Sequence, residues 1–151
     1  MKIKIFFILM IAFLSAGTFF YINIKYNNMP LSTLISSDIS EIATQSLQFM
    51  EDVKFKDFVS AGKKSIPEHL QKYNVPMLIE SLFQVKPELL DIQKTKVIST
   101  EKDSTGNRAK IQLETEVKLL NTNEFRKPIV MLYWKKQPDG KWYLDLASSI
   151  K

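Results

Sequence analysis

The spacing of hydrophobic residues changes twice along the chain. A continuous apolar run occupies Ile5 to Ile22, apolar residues recur at helical spacing from Asp38 to Phe83, and they alternate with polar residues from Ala109 to Leu119. A long continuous run is typical of a membrane segment, helical spacing of an amphipathic helix, and alternation of a half-buried strand. The pattern therefore predicts a membrane segment, then a helical part, then a sheet.

The apolar run, Ile5 to Ile22, is eighteen residues long and carries no charge. As a helix it would extend about 27 Å, close to the ~30 Å hydrocarbon thickness of a bilayer. Lys2 and Lys4 stand immediately before it, and positive charge on that side favours a cytoplasmic N-terminus. We therefore expect a single-pass membrane protein whose C-terminal domain is extracytoplasmic.

This interpretation divides the chain into a membrane anchor or uncleaved signal over residues 1–25, a linker over residues 26–37 and a domain over residues 38–151. A cleaved signal peptide is the alternative, since Ser15 and Gly17 are small residues at the positions that precede such a cut. Cleavage would make the same domain a secreted protein.

The helical part is predicted to contain three or four short amphipathic helices. Asp38 opens the first, the helical spacing continues through residues 52–61, and Gly62 ends it. Pro67 and Pro76 can each occupy the first turn of a further helix. The buried face of residues 52–61 is expected to carry Val53, Phe55, Phe58 and Val59.

Four antiparallel strands are predicted after the helices, over residues 92–100, 109–119, 129–134 and 142–146. The alternation in the second strand places one of its faces in a core and the other in water. The third strand is apolar at consecutive positions, so we expect it to be covered on both faces. The fold class predicted is α+β, with an N-terminal membrane helix followed by helices packed on a curved four-stranded antiparallel sheet.

Several aromatic positions in this layout resemble the nuclear transport factor 2-like superfamily, a cystatin-like α+β cone. They are the FKDF step from Phe55 to Phe58, and Trp134 and Trp142 on either side of the turn Pro138 to Gly140. The chain is similar to short membrane-attached or secreted members of unknown function. The resemblance implies a sheet wrapped around helices with an apolar pocket at its mouth, and this superfamily includes both enzymes and binding proteins.

Composition narrows the class of protein. The net charge of +5 comes largely from Lys2, Lys4 and Lys25 around the apolar run, and the rest of the chain is close to neutral. Nucleic-acid binding is not expected, because it requires basic residues concentrated on one face. The chain has no cysteine, which excludes disulfides and thiolate metal sites.

No residues are predicted to be catalytic, to bind a cofactor or to ligate a metal. His69, the one histidine, lies among charged neighbours and is expected to be structural or exposed. Residues that could line a pocket are Tyr133, Trp134, Trp142 and Phe58, although core packing explains aromatic residues equally well.

The function expected is non-catalytic binding or scaffolding by a membrane-anchored domain, with a protein partner or a second copy, as in a subunit of an envelope assembly. The alternatives are a small cone-pocket enzyme of the isomerase or dehydratase type and a secreted binder of a small apolar ligand. The polar face of the second strand is either a docking surface or a solvated sheet face; its residues are Lys110, Gln112, Glu114, Glu116 and Lys118.

Overall fold

A computed structural model describes residues 37–150, which form an α+β domain with helices packed on a curved antiparallel sheet. The predicted membrane segment and nearly all of the predicted linker lie outside the described residues. Within residues 37–150, no helix is both long and apolar enough to cross a membrane. The predicted fold class is therefore confirmed for the domain, while the membrane helix stays a prediction.

The described helices begin close to the residues that the sequence indicates. Pro67 and Pro76 both stand in the first turn of a helical segment, as expected. The segment at Pro67 is a 3-10 helix, and the side chain of Asn74 caps the helix that contains Pro76 by accepting a hydrogen bond from the Met77 N–H (2.9 Å). The bounds are α1 Ser37–Lys54, α2 Phe58–Gly62, α3 Val75–Phe83 and α4 Leu146–Ser149, with 3-10 helices at Pro67–Gln71 and Pro87–Leu89.

The first two helices are separated by a break that the sequence does not predict. Lys56 adopts a left-handed backbone conformation with φ +61°, and its ammonium group donates to the backbone carbonyls of Pro87 and Leu90. The break redirects the chain, so Phe55 and Val59 are 71% and 73% exposed. The prediction that these two side chains are buried is wrong.

Five strands form the sheet, in the order β1-β2-β4-β5, with β3 paired to the second half of β2. β3 and β4 pair with the same edge of β2, one after the other. Between them, the Thr115 N–H of β2 donates to the carbonyl of Pro128 (3.0 Å). The predicted last strand is shorter than expected, since Asp145 ends it and caps α4. The strands are β1 Leu90–Lys102, β2 Arg108–Leu119, β3 Glu124–Arg126, β4 Ile129–Lys136 and β5 Trp142–Leu144.

The core lies between α1 and one face of the sheet. α1 packs across β1 and β2 through Ile42, Phe49 and Met50, which are almost fully buried. Every second residue of β2 from Ala109 to Leu119 is buried, which confirms the predicted alternation. The other side of the sheet, which we call the outer face, therefore holds the residues of β2 that are half exposed.

Candidate interaction surface

The outer face of β2 carries only polar and charged side chains, from Arg108 to Lys118. Its neighbours across the sheet follow from the strand register. Glu114 lies between Lys96 of β1 and Ile129 of β4, and Gln112 lies beside Met131. The residues that the sequence proposed as a docking or solvated face thus form the centre of a surface shared by three strands.

Three glutamates of this surface are paired to neighbouring lysines, while Asp91, opposite Lys118, accepts a hydrogen bond from Gln93 Nε2 (2.7 Å). Lys96 Nζ lies 2.7 Å from Glu114, and Lys110 Nζ lies 3.1 Å from Glu101. Lys127 Nζ lies 2.9 Å from Glu116, and this hydrogen bond lowers the pKa of the Glu116 carboxyl and raises the pKa of the lysine. These three carboxylates are therefore neutralised within the domain.

The outer face of β4 differs from that of β2, because most of its side chains are apolar or aromatic. Ile129 is 61% exposed and Met131 is 42% exposed, and Tyr133 follows two residues later. Val130 and Leu132, which point to the other side, are buried. The prediction that this strand is covered on both faces is wrong, since nothing in residues 37–150 covers its outer side.

An open cleft of about 350 Å³ lies at one end of this surface, between residues 101–103, residues 108–110 and Tyr133. Two of its polar groups have no hydrogen-bond or ion-pair partner within residues 37–150: the guanidinium of Arg108 and the hydroxyl of Tyr133. The backbone of Arg108 is fixed by two hydrogen bonds with Asp103, of 2.9 and 3.3 Å. The cleft therefore presents free donors on well-supported strands.

The four residues predicted to line a pocket are placed in different surroundings. Tyr133 lines the open cleft on the outer face. Trp134 and Trp142 are each 1% exposed and belong to the core, and Phe58 packs partly buried against it. The structure does not bring Tyr133 together with the two tryptophans, because adjacent strand residues point to opposite faces.

His69 is held beside the last helix. Its Nδ1 atom lies 3.3 Å from Asp145 Oδ1, and its ring meets Tyr73 edge to face at 6.4 Å. Asp145 also accepts hydrogen bonds from the backbone N–H and the hydroxyl of Ser148, at 3.0 and 2.9 Å. The imidazole makes a close contact with Asp145 but no hydrogen bond, and the hydrogen bonds of the carboxylate come from Ser148, so Asp145 acts as the cap of α4.

The buried polar side chains of residues 37–150 are those of Ser46, Ser65, Thr115 and Ser149. A cone-pocket enzyme of the isomerase type would use an ionisable group in a dry pocket, and hydroxyl groups of serine and threonine do not titrate in the ordinary pH range. The enzyme alternative stays a prediction. No cluster of three or more residues able to hold a metal ion occurs in the described part of the chain.

Within residues 37–150, the fold and this surface define an α+β domain whose sheet is covered by helices on the inner face and left uncovered on the outer face. No protein-family model and no curated protein matches this chain. The surface itself is thus the basis for any functional proposal.

Sequence reasoning missed Arg108, Ile129 and Met131 as surface residues. The sequence does not distinguish the two apolar residues, because odd- and even-numbered positions of this strand are both apolar. The sequence also does not predict that the guanidinium of Arg108 is left without a partner, because the pairing of the other charges depends on which residues lie opposite each other across the strands.

Proposed function

We propose that the chain is a membrane-anchored extracytoplasmic protein whose domain binds a protein partner through the outer face without catalysing a reaction. The uncharged run from Ile5 to Ile22 supports the anchor. The order of helices before an antiparallel sheet supports the likeness to the nuclear transport factor 2-like superfamily, which includes binding proteins as well as enzymes.

The observation that carries the binding role is the contrast between two neighbouring strands of one sheet face. On a purely solvated face, the outward residues of each strand are polar, as they are in β2. In β4, Ile129 and Met131 are exposed beside the charged residues of β2. An apolar patch rimmed by polar side chains is typical of a protein interface.

A site-specific photo-crosslinker tests this surface. We expect a crosslinker at Met131 of the full-length chain, in the cells that naturally make it, to give one discrete adduct. The matched position is Gln48, which is exposed on α1 and should give none. The added change Ile129→Glu should abolish the adduct at position 131, and an adduct that survives this change, or the absence of any adduct, would contradict the proposed role.

The anchored topology has a separate test. A reporter active only outside the cytoplasm, fused after Lys151, should be active with the full chain and inactive when residues 1–25 are deleted. The physical reason is that the uncharged run is the segment expected to carry the domain across the bilayer. Activity that does not depend on residues 1–25 would contradict this topology.

A further inference from the structure

We propose that the partner inserts a carboxylate between Arg108 and Tyr133 and lays apolar side chains over Met131 and Ile129. This inference rests on the proposed function and adds the chemistry of the partner. The occupant is a protein segment that is acidic at one end and apolar along the rest of its contact.

The charges of the outer face select an acidic group. The carboxylates of Glu101, Glu114 and Glu116 are already held by lysines of the domain. Arg108 and Lys135, which are opposite each other on β2 and β4, have no ion-pair partner within residues 37–150. Asp103 also lines the cleft, where its carboxylate accepts hydrogen bonds from the Thr105 hydroxyl and the Arg108 N–H and has no ion pair within residues 37–150. Two cations and one carboxylate are thus without an ion pair at this end, so the balance of charge is positive, and complementary charge steers and orients a partner.

The free groups of the cleft suit a carboxylate in particular. A guanidinium presents parallel N–H donors that match the two oxygens of a carboxylate, and the hydroxyl of Tyr133 can donate a further hydrogen bond. The backbone of Tyr133 is held on both sides, since its N–H donates to Ser149 Oγ (3.0 Å) and its carbonyl accepts from the Asp145 N–H (2.7 Å). A site on such fixed strands loses little freedom when it is filled.

The spacing along β4 defines the rest of the partner segment. The outer face of β4 presents every second residue, in the order Tyr133, Met131 and Ile129. Consecutive side chains on this face are therefore roughly 6.6 Å apart. An extended partner segment has the same period. A segment with an acidic residue followed by apolar residues at the second and fourth positions after it would match the cleft, Met131 and Ile129 in turn.

A second copy of the chain fits this surface less well. The carboxylates on its own outer face are those of Asp91, Glu101, Glu114 and Glu116. Each glutamate would have to leave its lysine before it could enter the cleft, and Asp91, at the other end of the sheet, already accepts a hydrogen bond from Gln93 Nε2 (2.7 Å). Breaking such an exposed pair costs about 0.2–1 kcal/mol, which subtracts from the gain of the new pair. A foreign acidic segment avoids this cost.

Two blocked hexapeptides test the inference, with the sequences Glu-Thr-Leu-Thr-Leu-Thr and Lys-Thr-Leu-Thr-Leu-Thr. Each carries a fluorophore, and binding to the full-length chain in a mild nonionic detergent is followed by fluorescence polarisation. We expect the acidic peptide to bind at least tenfold more tightly than the basic one and to lose affinity several-fold between 50 and 300 mM salt. Arg108→Gln should weaken the acidic peptide roughly tenfold or more.

The matched control is Lys86→Gln, which removes one positive charge from an exposed residue before the second 3-10 helix. It should leave the affinity unchanged, and the fluorescence of Trp134 and Trp142 shows that each variant is folded. Equal affinity of the two peptides, or the same loss in both variants, would overturn the inference. A dimer in sedimentation that Ile129→Glu dissociates would overturn it as well, because a second copy would then occupy the face.

The crosslinking assay separates this inference from the proposed function. If the partner binds the outer face but does not use the cleft, the adduct at position 131 forms equally well with Arg108→Gln. If the outer face binds no partner, position 131 gives no adduct in either background.

Discussion

Asp38 connects the start of α1 to the ends of two strands, and replacing it with asparagine should measure the strength of that connection. Its carboxylate accepts hydrogen bonds from Lys102 at 2.9 Å and from Lys136 at 3.1 Å. Lys136 also lies 5.6 Å from the ring centroid of Trp142. Asparagine has nearly the same shape as aspartate but carries no charge, so Asp38→Asn removes the electrostatic part of the network with little change in packing.

The pKa of Asp38 indicates the size of the effect. Hydrogen bonds from Lys102, and next from Lys136, lower this pKa from 3.8 to about 2. The nearby indole N–H of Trp142 lowers it further, although it does not meet the geometry of a hydrogen bond. A difference of about two pH units corresponds to about 2.5 kcal/mol. The three charged side chains are about a quarter exposed, so solvent screening reduces the expected loss of unfolding free energy to about 1 kcal/mol.

The same network gives a pH dependence with a definite sign. Because the pKa of Asp38 is lower in the folded state, its contribution is present above pH 4 and is lost as the pH falls from about 4 to about 2. The wild-type chain should therefore lose about 1 kcal/mol more than Asp38→Asn over this interval. Below it, the two chains should be equally stable.

Urea unfolding followed by tryptophan fluorescence can measure both effects, because Trp134 and Trp142 are the only tryptophans and both are buried. The control is Glu80→Gln, which neutralises an exposed carboxylate on α3 and should change the stability by less than about 0.5 kcal/mol. An Asp38→Asn chain as stable as wild type at pH 7 would refute the reasoning. A difference that persists at pH 2 would refute the electrostatic explanation.

Two further stability predictions follow from the same domain. Leu132→Ala should lower the free energy of unfolding by about 2–5 kcal/mol, because Leu132 is fully buried. In the same urea assay, Met131→Ala, one residue away on the outer face, should lower it by less than about 0.5 kcal/mol. Equal losses would contradict the assigned faces of β4. Asp145→Ala should cost about 1–2 kcal/mol, since it removes the cap of α4. Thermal unfolding with Glu80→Ala as the exposed comparison would show whether the loss is specific to that cap.

The sequence predicts those parts of the fold that depend on local periodicity. β2 alternates without interruption, so its two faces are assigned correctly from Ala109 to Leu119. The helices that contain Pro67 and Pro76 begin where proline removes an N–H that a first turn does not need. In both cases the determining residues are neighbours in the chain.

The parts that sequence reasoning missed depend on contacts between distant residues. The break at Lys56 is held by carbonyls of Pro87 and Leu90, more than thirty residues later, and helical spacing alone continues through it. The end of the last strand is set by Asp145, whose carboxylate meets His69 from a different segment. Periodicity carries no information about either contact.

β4 shows why the candidate surface needed the structure. Apolar residues occupy both its odd- and its even-numbered positions. That pattern fits a strand buried on both faces as well as a strand with one exposed apolar face. The core takes Val130, Leu132 and Trp134 from this strand, and Ile129 and Met131 remain outside it. Because the outer side chains do not support the core, we expect substitutions there to leave the chain folded. The binding experiments therefore measure recognition separately from stability.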